Sequence, residues 1–326
     1  MTHLLDEIHL SKRAVRGLGI SLVVLGLSIP IAAVVYHAAS WQSDTVEPES
    51  TGPFRPELVI LPAGTFQMGS PDDEPGRFDN ETLHEVTLSK RFALSRTEIT
   101  QGQYFAVTGE RPVEERTDIA GARCADVGVG DDLPVVCIDW LDAIRFCNEL
   151  SIKEGLEPVY TSEGSGISWN LEASGYRLPT EAEWEFAARA GTRYRYAGTD
   201  NENEVCRYAN VADAVAKAKN ADWTTLRCED DHEALAPVAS KLPNRWQLYD
   251  MTGNVWEWVW DIWNPYPTIV ETGPTGVSTA DSQIYRGGSW WGSPRSIRLA
   301  YRARGEPGSR LLFLGFRVAR SVPPGP

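Results

Sequence analysis

The chain has 326 residues, with 31 lysines and arginines against 45 aspartates and glutamates, which gives a formal net charge of -14. This length allows one large domain or two small ones, each able to bury its own core. The negative charge opposes attraction to phosphate backbones, so we expect no nucleic-acid partner.

Residues 17–36 contain no charged side chain. A helix of this length matches the hydrocarbon core of a bilayer, which is roughly 30 Å thick. Basic residues precede the stretch and acidic residues follow it, namely Lys12, Arg13, Arg16, Asp44, Glu47 and Glu49. Because basic flanks stay in the cytoplasm, the sequence predicts a cytoplasmic tail (1–16), a single-pass membrane anchor (17–36) and a large periplasmic or extracellular domain.

The segment that follows the anchor, residues 37–56, is rich in Pro, Ser, Thr and Glu without periodicity, and we interpret it as a solvated linker. The domain is then expected to begin at residue 57. A cleaved signal peptide is the alternative to an anchor, because residues 38–40 are small and lie near a possible cleavage site. The apolar run is longer than a usual signal core, which favours the anchor.

Three helices are predicted from caps and periodicity. Thr180 and Glu183 form a capping box, and Gly191 stands where the helix would end in a left-handed residue. Apolar spacing predicts a second helix over residues 140–152, closed near Gly155, and a shorter one over 100–107.

Three strands are predicted from β-forming residues bounded by glycine or polar residues, over residues 86–93, 283–286 and 313–319. Trp256, Trp258 and Trp260 alternate with other residues and would share one face of a strand. They could form a platform for a sugar or a cofactor. Core packing is the interpretation we favour, because large aromatic side chains dominate burial.

All five cysteines follow the predicted anchor, and their odd number leaves at least one unpaired within the chain. Cys206 and Cys228 flank a variable insertion, and a disulfide between them would remove loop entropy worth roughly 3 kcal/mol. Cys124 and Cys137 are a second candidate pair, and Cys147 is predicted to be a small buried hydrophobe on a helix face. Disulfides would suit an oxidising compartment.

Several motifs occur in a fixed order along the chain. They are residues 62–69 (PAGTFQMG), 97–100 (TEIT), 176–185 (YRLPTEAEWE), 250–258 (DMTGNVWEW), 286–290 (RGGSW) and 314–317 (LGFR). Together they resemble the formylglycine-generating, or sulfatase-modifying factor, family over roughly residues 57–320. The resemblance implies one α+β domain with an irregular, C-type-lectin-like fold.

The oxidases of that family convert a sulfatase cysteine to formylglycine with copper(I) held by two cysteines just after the Gly-Gly-Ser block. The positions closest to them here are Gly292, or its neighbour Ser293, and Ile297, and no cysteine follows Cys228. Copper(I) is a soft ion that selects thiolates. We therefore expect no bound copper and no formylglycine-generating activity.

The resemblance also implies two calcium sites. In the first, the family position of Glu257 binds calcium with the side chain seven residues earlier, here Asp250, and with the carbonyls of Gly253 and Val255. The alternative for Glu257 is a carboxylate hydrogen-bonded to loop amides.

In the second calcium site, the family positions correspond to the Asn210 side chain, the Val211 carbonyl, the Asp230 side chain and the His232 carbonyl. Asp231 is a neighbouring candidate for the carboxylate, and the acidic run could equally be a solvated surface stretch.

The segment after the Gly-Gly-Ser block matches the part of the family that lines its substrate cleft. Trp290, Trp291, Arg295 and Arg298 are therefore candidates for a ligand cleft. Arginines there could recognise an anionic peptide or sugar through bidentate contacts. The alternative, which we favour for any single arginine, is hydrogen bonding to loop carbonyls.

Other chemistries fit the sequence poorly. The domain contains only His84 and His232, too few and too far apart for an iron site or a hydrolase triad. Three functions remain: a membrane-anchored, non-catalytic domain that binds a peptide, glycan or protein; an oxidase with a non-standard metal site; and a scaffold subunit of an envelope complex. The missing cysteines rank the oxidase last.

Overall fold

The computed structural model describes residues 54–163, 166–219, 221–266, 271–272 and 282–322, all of which fall within one unit that spans residues 43–326. The predicted cytoplasmic tail and anchor, and nearly all of the linker, lie outside the described residues. In the part of the chain that is described, no helix is long and apolar enough to cross a bilayer.

Side-chain caps start the three longest helices in the described ranges. At Thr100, Asp139 and Thr180 the side chain accepts the N–H of the third helical residue, whose own side chain returns a bond to the cap. This confirms the predicted capping box of Thr180 with Glu183. The helices are α1 (Gln101–Thr108), α2 (Pro112–Glu115), α3 (Trp140–Lys153), α4 (Glu181–Arg189) and α5 (Ala214–Lys219), with 3-10 turns at Cys124–Val127 and Glu202–Arg207.

Left-handed residues follow three of these helices, and Gly109 after α1 has a φ of 74°. Gly155 follows α3 with a φ of 70°, and Gly191 follows α4 with a φ of 75°, as predicted for both. Ala190, immediately after α4, is also left-handed at a φ of 45°. These helix ends are therefore fixed by backbone geometry.

The strands are short and build four sheets. The first has the order β1-β4-β13-β7, the second β11-β10-β8-β12, the third β2-β3-β9, and β5 pairs with β6. The strands are β1 (Leu58–Leu61), β2 (Gly64–Met68), β3 (His84–Leu88), β4 (Phe92–Ser95), β5 (Tyr160–Glu163), β6 (Gly166–Trp169), β7 (Tyr176–Arg177), β8 (Trp256–Ile262), β9 (Glu271–Thr272), β10 (Gln283–Arg286), β11 (Ala303–Gly305), β12 (Leu314–Phe316) and β13 (Ala319–Ser321).

Two of the three predicted strands are each divided in two. Residues 86–93 contain the end of β3 and the start of β4, because the polar residues 89–91 form the turn between them. Residues 313–319 contain β12 and the start of β13, which belong to different sheets. The chain changes sheets at Arg317 and Val318, so the prediction of one strand there was wrong. The third prediction, β10, is confirmed.

Strand β8 separates the two main clusters of buried side chains. Trp256, Trp258 and Trp260 pack into one cluster, while Val259 packs into the other. The alternating tryptophans therefore pack in the core, which is the interpretation that the sequence favoured. Strands β10 and β12 pair with the two edges of β8, and the two clusters cover its faces, so its side chains are buried on both faces.

Both predicted disulfides are present, joining Cys206 to Cys228 and Cys124 to Cys137. Cys147 is a buried free thiol on α3, as predicted. Burial raises the pKa of the Cys147 thiol. None of the five cysteines therefore offers a thiolate near neutral pH.

Candidate functional site

A tight loop follows strand β10 and turns back on itself. Its first residues, Gly287 and Gly288, have φ values of 100° and 80°. The N–H of Gly292 then donates to the Ser289 carbonyl at 2.7 Å, and the N–H of Ile297 donates to the Ser293 carbonyl at 3.2 Å. These turns bring the two positions closest to the family's copper cysteines next to each other.

The space between those two positions is filled by hydrocarbon. A Cβ atom on Gly292 would lie 2.4 Å from Cγ2 of Ile297, and a Cβ on Gly288 would lie 2.6 Å from the same atom. Ile297 is fully buried in a small core with Val211 and Leu226. The location therefore lacks thiolates and also the room for an ion, so copper does not fit here.

The same small core holds the insertion that the Cys206–Cys228 disulfide closes. The N–H of Ala212 donates to the Gly292 carbonyl at 3.3 Å, and the N–H of Leu226 donates to the Ala212 carbonyl at 3.0 Å. Within the insertion, Trp223 is placed against Trp291, with ring centroids 5.4 Å apart. The loop after β10 and the insertion thus form one packed unit.

Four aromatic rings meet at this unit, and we call them the aromatic surface: Trp223, Trp290, Trp291 and Phe313. Besides Trp223, Trp291 contacts Trp290 at 6.2 Å and Phe313 at 5.6 Å between ring centroids. Trp291 is 47% exposed. The indole N–H of Trp290 is buried and has no hydrogen-bond partner among the described residues. The two predicted cleft tryptophans therefore lie together at the surface.

The two predicted cleft arginines have different environments. Arg298 is 1% exposed, and its guanidinium contacts Glu74 and Glu81 at 2.6 Å each. It is a structural cation and is not available to a ligand at the surface. Arg295 is exposed, stacks on Phe78 at 3.5 Å, and donates to the Gly76 carbonyl at 2.8 Å. This hydrogen bond to a loop carbonyl is the role that we expected for any single arginine of this segment.

The first predicted calcium set lies on the turn that leads into β8. Both oxygens of Glu257 are engaged, because Arg317 donates to them at 2.6 and 2.7 Å and the Trp184 indole donates at 2.7 Å. Asp250 accepts the N–H of Ala239 through one oxygen. Its other oxygen is buried without a partner among the described residues. Among the side chains of this set, the free acceptor is therefore Asp250.

The second predicted calcium set is also brought together. Asp230 accepts the N–H of Val211 at 2.7 Å and the N–H of His232 at 3.0 Å. The Asn210 amide nitrogen donates to Asn254 at 3.0 Å, which links this set to the turn of the first. The carbonyl oxygen of the Asn210 side chain is buried with no partner in the described chain. Each set thus contains one orphaned buried oxygen.

Negative charge accumulates around the turn at residues 250–255. Glu98 accepts the N–H of Val255 and the side-chain amide of Asn254. Burial and the neighbouring Asp250 and Glu257 carboxylates raise the pKa of Glu98 well above its usual value. Burial likewise raises the pKa of Asp250 to about 6. Arg317 lowers both pKa values electrostatically but does not offset burial.

Asp230, in the second predicted calcium set, is another buried carboxylate with a raised pKa. Burial raises the pKa of Asp230 to about 6, although the bonds from Val211 and His232 oppose this. Lys241 donates to the backbone carbonyl of Asp230. In the described ranges, no three His, Cys, Asp or Glu side chains converge closely enough to hold a metal by themselves. An ion here would need the carbonyl and amide oxygens as well.

Four important residues of this region were not singled out as functional from the sequence: Glu98, Trp223, Phe313 and Arg317. Glu98 and Arg317 stand in motifs that carry the family resemblance, at residues 97–100 and 314–317. A buried carboxylate such as Glu257 requires a cation or several donors, so Arg317 could have been sought as its partner. No sequence signal places Trp223 beside Trp291.

Comparison with known proteins agrees with the motif order. Residues 42–322 match the family model described as "Sulfatase-modifying factor enzyme 1-like domain". The chain is 34% identical over 283 residues to the chaperone protein LppX of Paenibacillus barcinonensis, covering 81% of this chain and 89% of the relative. It is 31% identical over 288 residues to the formylglycine-generating enzyme of Mus musculus, covering 81% and 74%.

Among solved structures, the fold is similar to that of Treponema denticola variable protein 1. The TM-score is 0.66 at 30% sequence identity, and the match covers 81% of this chain and 95% of that protein. The mixed α and β architecture predicted from the motifs is therefore shared with known members of the fold.

Proposed function

The chain belongs to the sulfatase-modifying factor enzyme 1-like family, and from this premise we propose that it is a recognition domain without oxidase activity. The proposal includes the single-pass anchor at residues 17–36 and a C-type-lectin-like domain on the periplasmic or extracellular side. Its ligand would be a peptide, a glycan or a partner protein. A scaffold role in an envelope complex is the second form of the same non-catalytic function.

One contact carries the proposal. Ile297 fills the space beside Gly292, where a Cβ atom would approach it to 2.4 Å. A metal site needs room and donors, and a fully buried isoleucine removes both. The paired cysteines and the protonated Cys147 thiol supply no other thiolate.

The two disulfides support the proposed location. Disulfides persist in oxidising compartments and are rare where thiols are kept reduced. Mass spectrometry of the mature N-terminus should find the chain intact from residue 1 in the membrane fraction. A soluble protein that begins near Trp41 would replace the anchor with a signal peptide.

Calcium is the cofactor that we propose. The orphaned oxygens of Asp250 and Asn210 fit a hard cation, which takes six to eight oxygen ligands. In the first site the carbonyls of Gly253 and Val255 would add to the Asp250 oxygen. In the second site the Val211 and His232 carbonyls and the Asp230 carboxylate would add to the Asn210 oxygen. Bound calcium would supply charge balance to a turn crowded with carboxylates and has no catalytic role in the proposal. Removal of calcium by a chelator should lower the melting temperature.

The decisive experiment is an aldehyde assay. The full chain is incubated in air with copper and a peptide that contains Cys-x-Pro-x-Arg, and the peptide mass is followed. We expect no conversion of the thiol, while a formylglycine-generating enzyme run in parallel converts it.

A control variant makes the result specific. Clear turnover by the wild-type chain that is lost in Ser293→Ala, yet kept in Ser296→Ala, would establish the alternative function, an oxidase with a non-standard metal site.

A further inference from the structure

The area of the aromatic surface limits what can bind there. Trp291 is 47% exposed, so its exposed side chain offers on the order of 100 Å², and the four rings together offer roughly 300 Å². A stable protein interface needs about 800 Å² on each partner. The surface is too small for a protein by itself. A pyranose ring, by contrast, is about as large as one indole.

The chemistry of the four side chains narrows the ligand further. None of them carries an ionisable group, and the ammonium of Lys217 beside Trp223 is engaged by the backbone carbonyls of Ala221 and Trp223. Ring faces are weakly negative and attract polarised C–H groups, such as those on one face of a pyranose. The Trp290 indole N–H is a buried donor without an acceptor in the described chain, and such groups need an explanation. A small shift of Trp290 on binding would let a sugar hydroxyl accept from it.

The backbone beneath the rings does not favour an extended peptide. Peptides that bind in extended form gain affinity from main-chain hydrogen bonds to a strand edge. All four residues stand on turns or loops, and Phe313 only adjoins β12. A sugar can bind by stacking its C–H groups on aromatic rings and needs no strand edge. This surface therefore suits a sugar better than an extended peptide.

The surface is also rigidly held. The disulfide from Cys206 to Cys228 closes the loop that carries Trp223, and the core around Ile297 fixes that loop to the turn carrying Trp291. A preorganised surface loses little entropy when it binds a ligand. The hydrocarbon that fills the position of the family's copper site thus supports the ring arrangement.

We propose that Trp223, Trp290, Trp291 and Phe313 form a binding site for a neutral glycan, in which a pyranose ring stacks on Trp291 beside Trp223. This inference rests on the proposed recognition function and names its ligand class. It does not require calcium.

The test is calorimetric titration of the full chain, purified without glycoside detergents. The probes are four neutral tetrasaccharides, built from glucose, mannose, galactose or N-acetylglucosamine. At least one should bind saturably with one site per chain. Trp291→Ala and Trp223→Ala should each weaken that binding at least tenfold. The matched control is Trp263→Ala, which removes a tryptophan that contacts Arg302 and Arg304 and lies outside the aromatic surface; it should leave the affinity within twofold.

Three results would overturn the glycan site: no binding of any tetrasaccharide, binding unchanged in Trp291→Ala, or binding of an apolar peptide through Trp291 when no sugar binds. Circular dichroism of each variant checks that the fold is kept. The proposed function is judged separately, because a chain that binds no sugar and also makes no aldehyde remains a non-catalytic domain.

Discussion

Two regions of the molecule, one that matches the family's copper site and one that matches its two calcium sites, differ in what the chain has kept there. At the first, Gly292 and Ile297 stand where thiolates would hold copper, and hydrocarbon fills the gap. At the second, the turn before β8 keeps Asp250 and its neighbours, and buried oxygens remain without donors at Asp250 and Asn210. One place is filled and apolar, and the other is polar and incompletely satisfied.

The difference follows from what each place contributes to the fold. A soft-metal site consists of a few side chains, so replacing the thiolates with one buried isoleucine removes the site and adds core. The oxygen-rich turn also supports the core through Glu98, Asn254 and Glu257, whose bonds join three segments of the chain. Losing those oxygens would break buried polar bonds that the fold needs.

The largest expected effect comes from breaking the polar region. In Arg317→Leu, the Glu257 carboxylate stays buried without its cation, and the carbonyls of Ser95 and Tyr249 lose a donor. Breaking such a buried pair costs about 3 to 5 kcal/mol. Urea unfolding should show this loss, while exposed Arg295→Leu should cost below about 1 kcal/mol.

The double variant Arg317→Leu with Glu257→Leu sharpens the result. Replacing both partners with hydrocarbon is often close to neutral, so at least half of the lost stability should return. If the double variant is as unstable as the single one, the pair itself is not the cause.

The second prediction concerns the support of the filled region. Replacing Cys206 and Cys228 with alanine removes a crosslink over a sequence separation of 22 residues. We expect a loss of about 3 kcal/mol in unfolding free energy, together with weaker sugar binding, because Trp223 is no longer fixed. Replacing Cys124 and Cys137 should cost a similar stability and leave sugar binding unchanged. Equal effects of the two pairs on binding would contradict the role given to the insertion.

The third prediction tests the filling directly. Gly292→Ala would place a Cβ 2.4 Å from Ile297, so we expect a loss of about 2 kcal/mol from overpacking. Combining it with Ile297→Ala should destabilise the chain by about 1 kcal/mol less than the sum of the two single changes, since the shorter side chain makes room. Gly308→Ala is the control, because nothing lies within 4 Å of its added Cβ. Strict additivity would mean that the two positions are not in contact.

The sequence predicted local structure well where a local signal existed. The capping box at Thr180 and the glycines after α3 and α4 depend on neighbouring residues, and all are as predicted. Both disulfide pairs were predicted from the positions of the cysteines and from the expectation of an exported domain. The prediction of one strand over residues 313–319 failed because the change of sheet at Arg317 is set by its bond to distant Glu257.

The site was predictable only in part for the same reason. Motif spacing identified Asp250 and Asn210, whose oxygens have no partner, but it could not show that Glu257 is held by Arg317. Arg298 was placed in a cleft because of its position after Trp291. Its partners Glu74 and Glu81 lie more than 200 residues earlier in the sequence, and only the fold brings them together.

The smallest expected effect tests the polar region through pH. Burial raises the pKa of Asp250 to about 6 in the folded chain, above its ordinary value of 3.8. A carboxyl with a raised folded pKa contributes stability that is complete below the unfolded pKa and is lost as pH rises through the folded pKa. Calcium-free protein should therefore become less stable between pH 5 and pH 7, by about 1.4 kcal/mol for this group.

One group in this window acts in the opposite direction: burial and Lys241 lower the pKa of His232, so its contribution to stability rises with pH. Burial also raises the pKa of Asp230 to about 6 and that of Asp261 to about 7, so both carboxyls act in the same direction as Asp250. Arginines lower the pKa values of Asp142 and Glu181 below their ordinary range, despite burial. Those two carboxyls are already ionised at pH 5, and their contribution stays constant up to pH 7.

Melting temperatures at pH 5 and pH 7, with calcium removed or added, measure the effect. We expect the calcium-free protein to melt at least about 3 °C lower at pH 7, and added calcium to remove part of that difference because it favours the ionised carboxylates. Asp250→Asn keeps an oxygen and suits the left-handed backbone at a φ of 55°, but it cannot ionise. It should therefore reduce both the pH slope and the response to calcium. If Asp250→Asn keeps the full pH dependence of stability, Asp250 is not the titrating group. If the melting temperature of the wild-type chain does not respond to calcium, this turn binds no calcium ion, and Arg317 is its main source of positive charge.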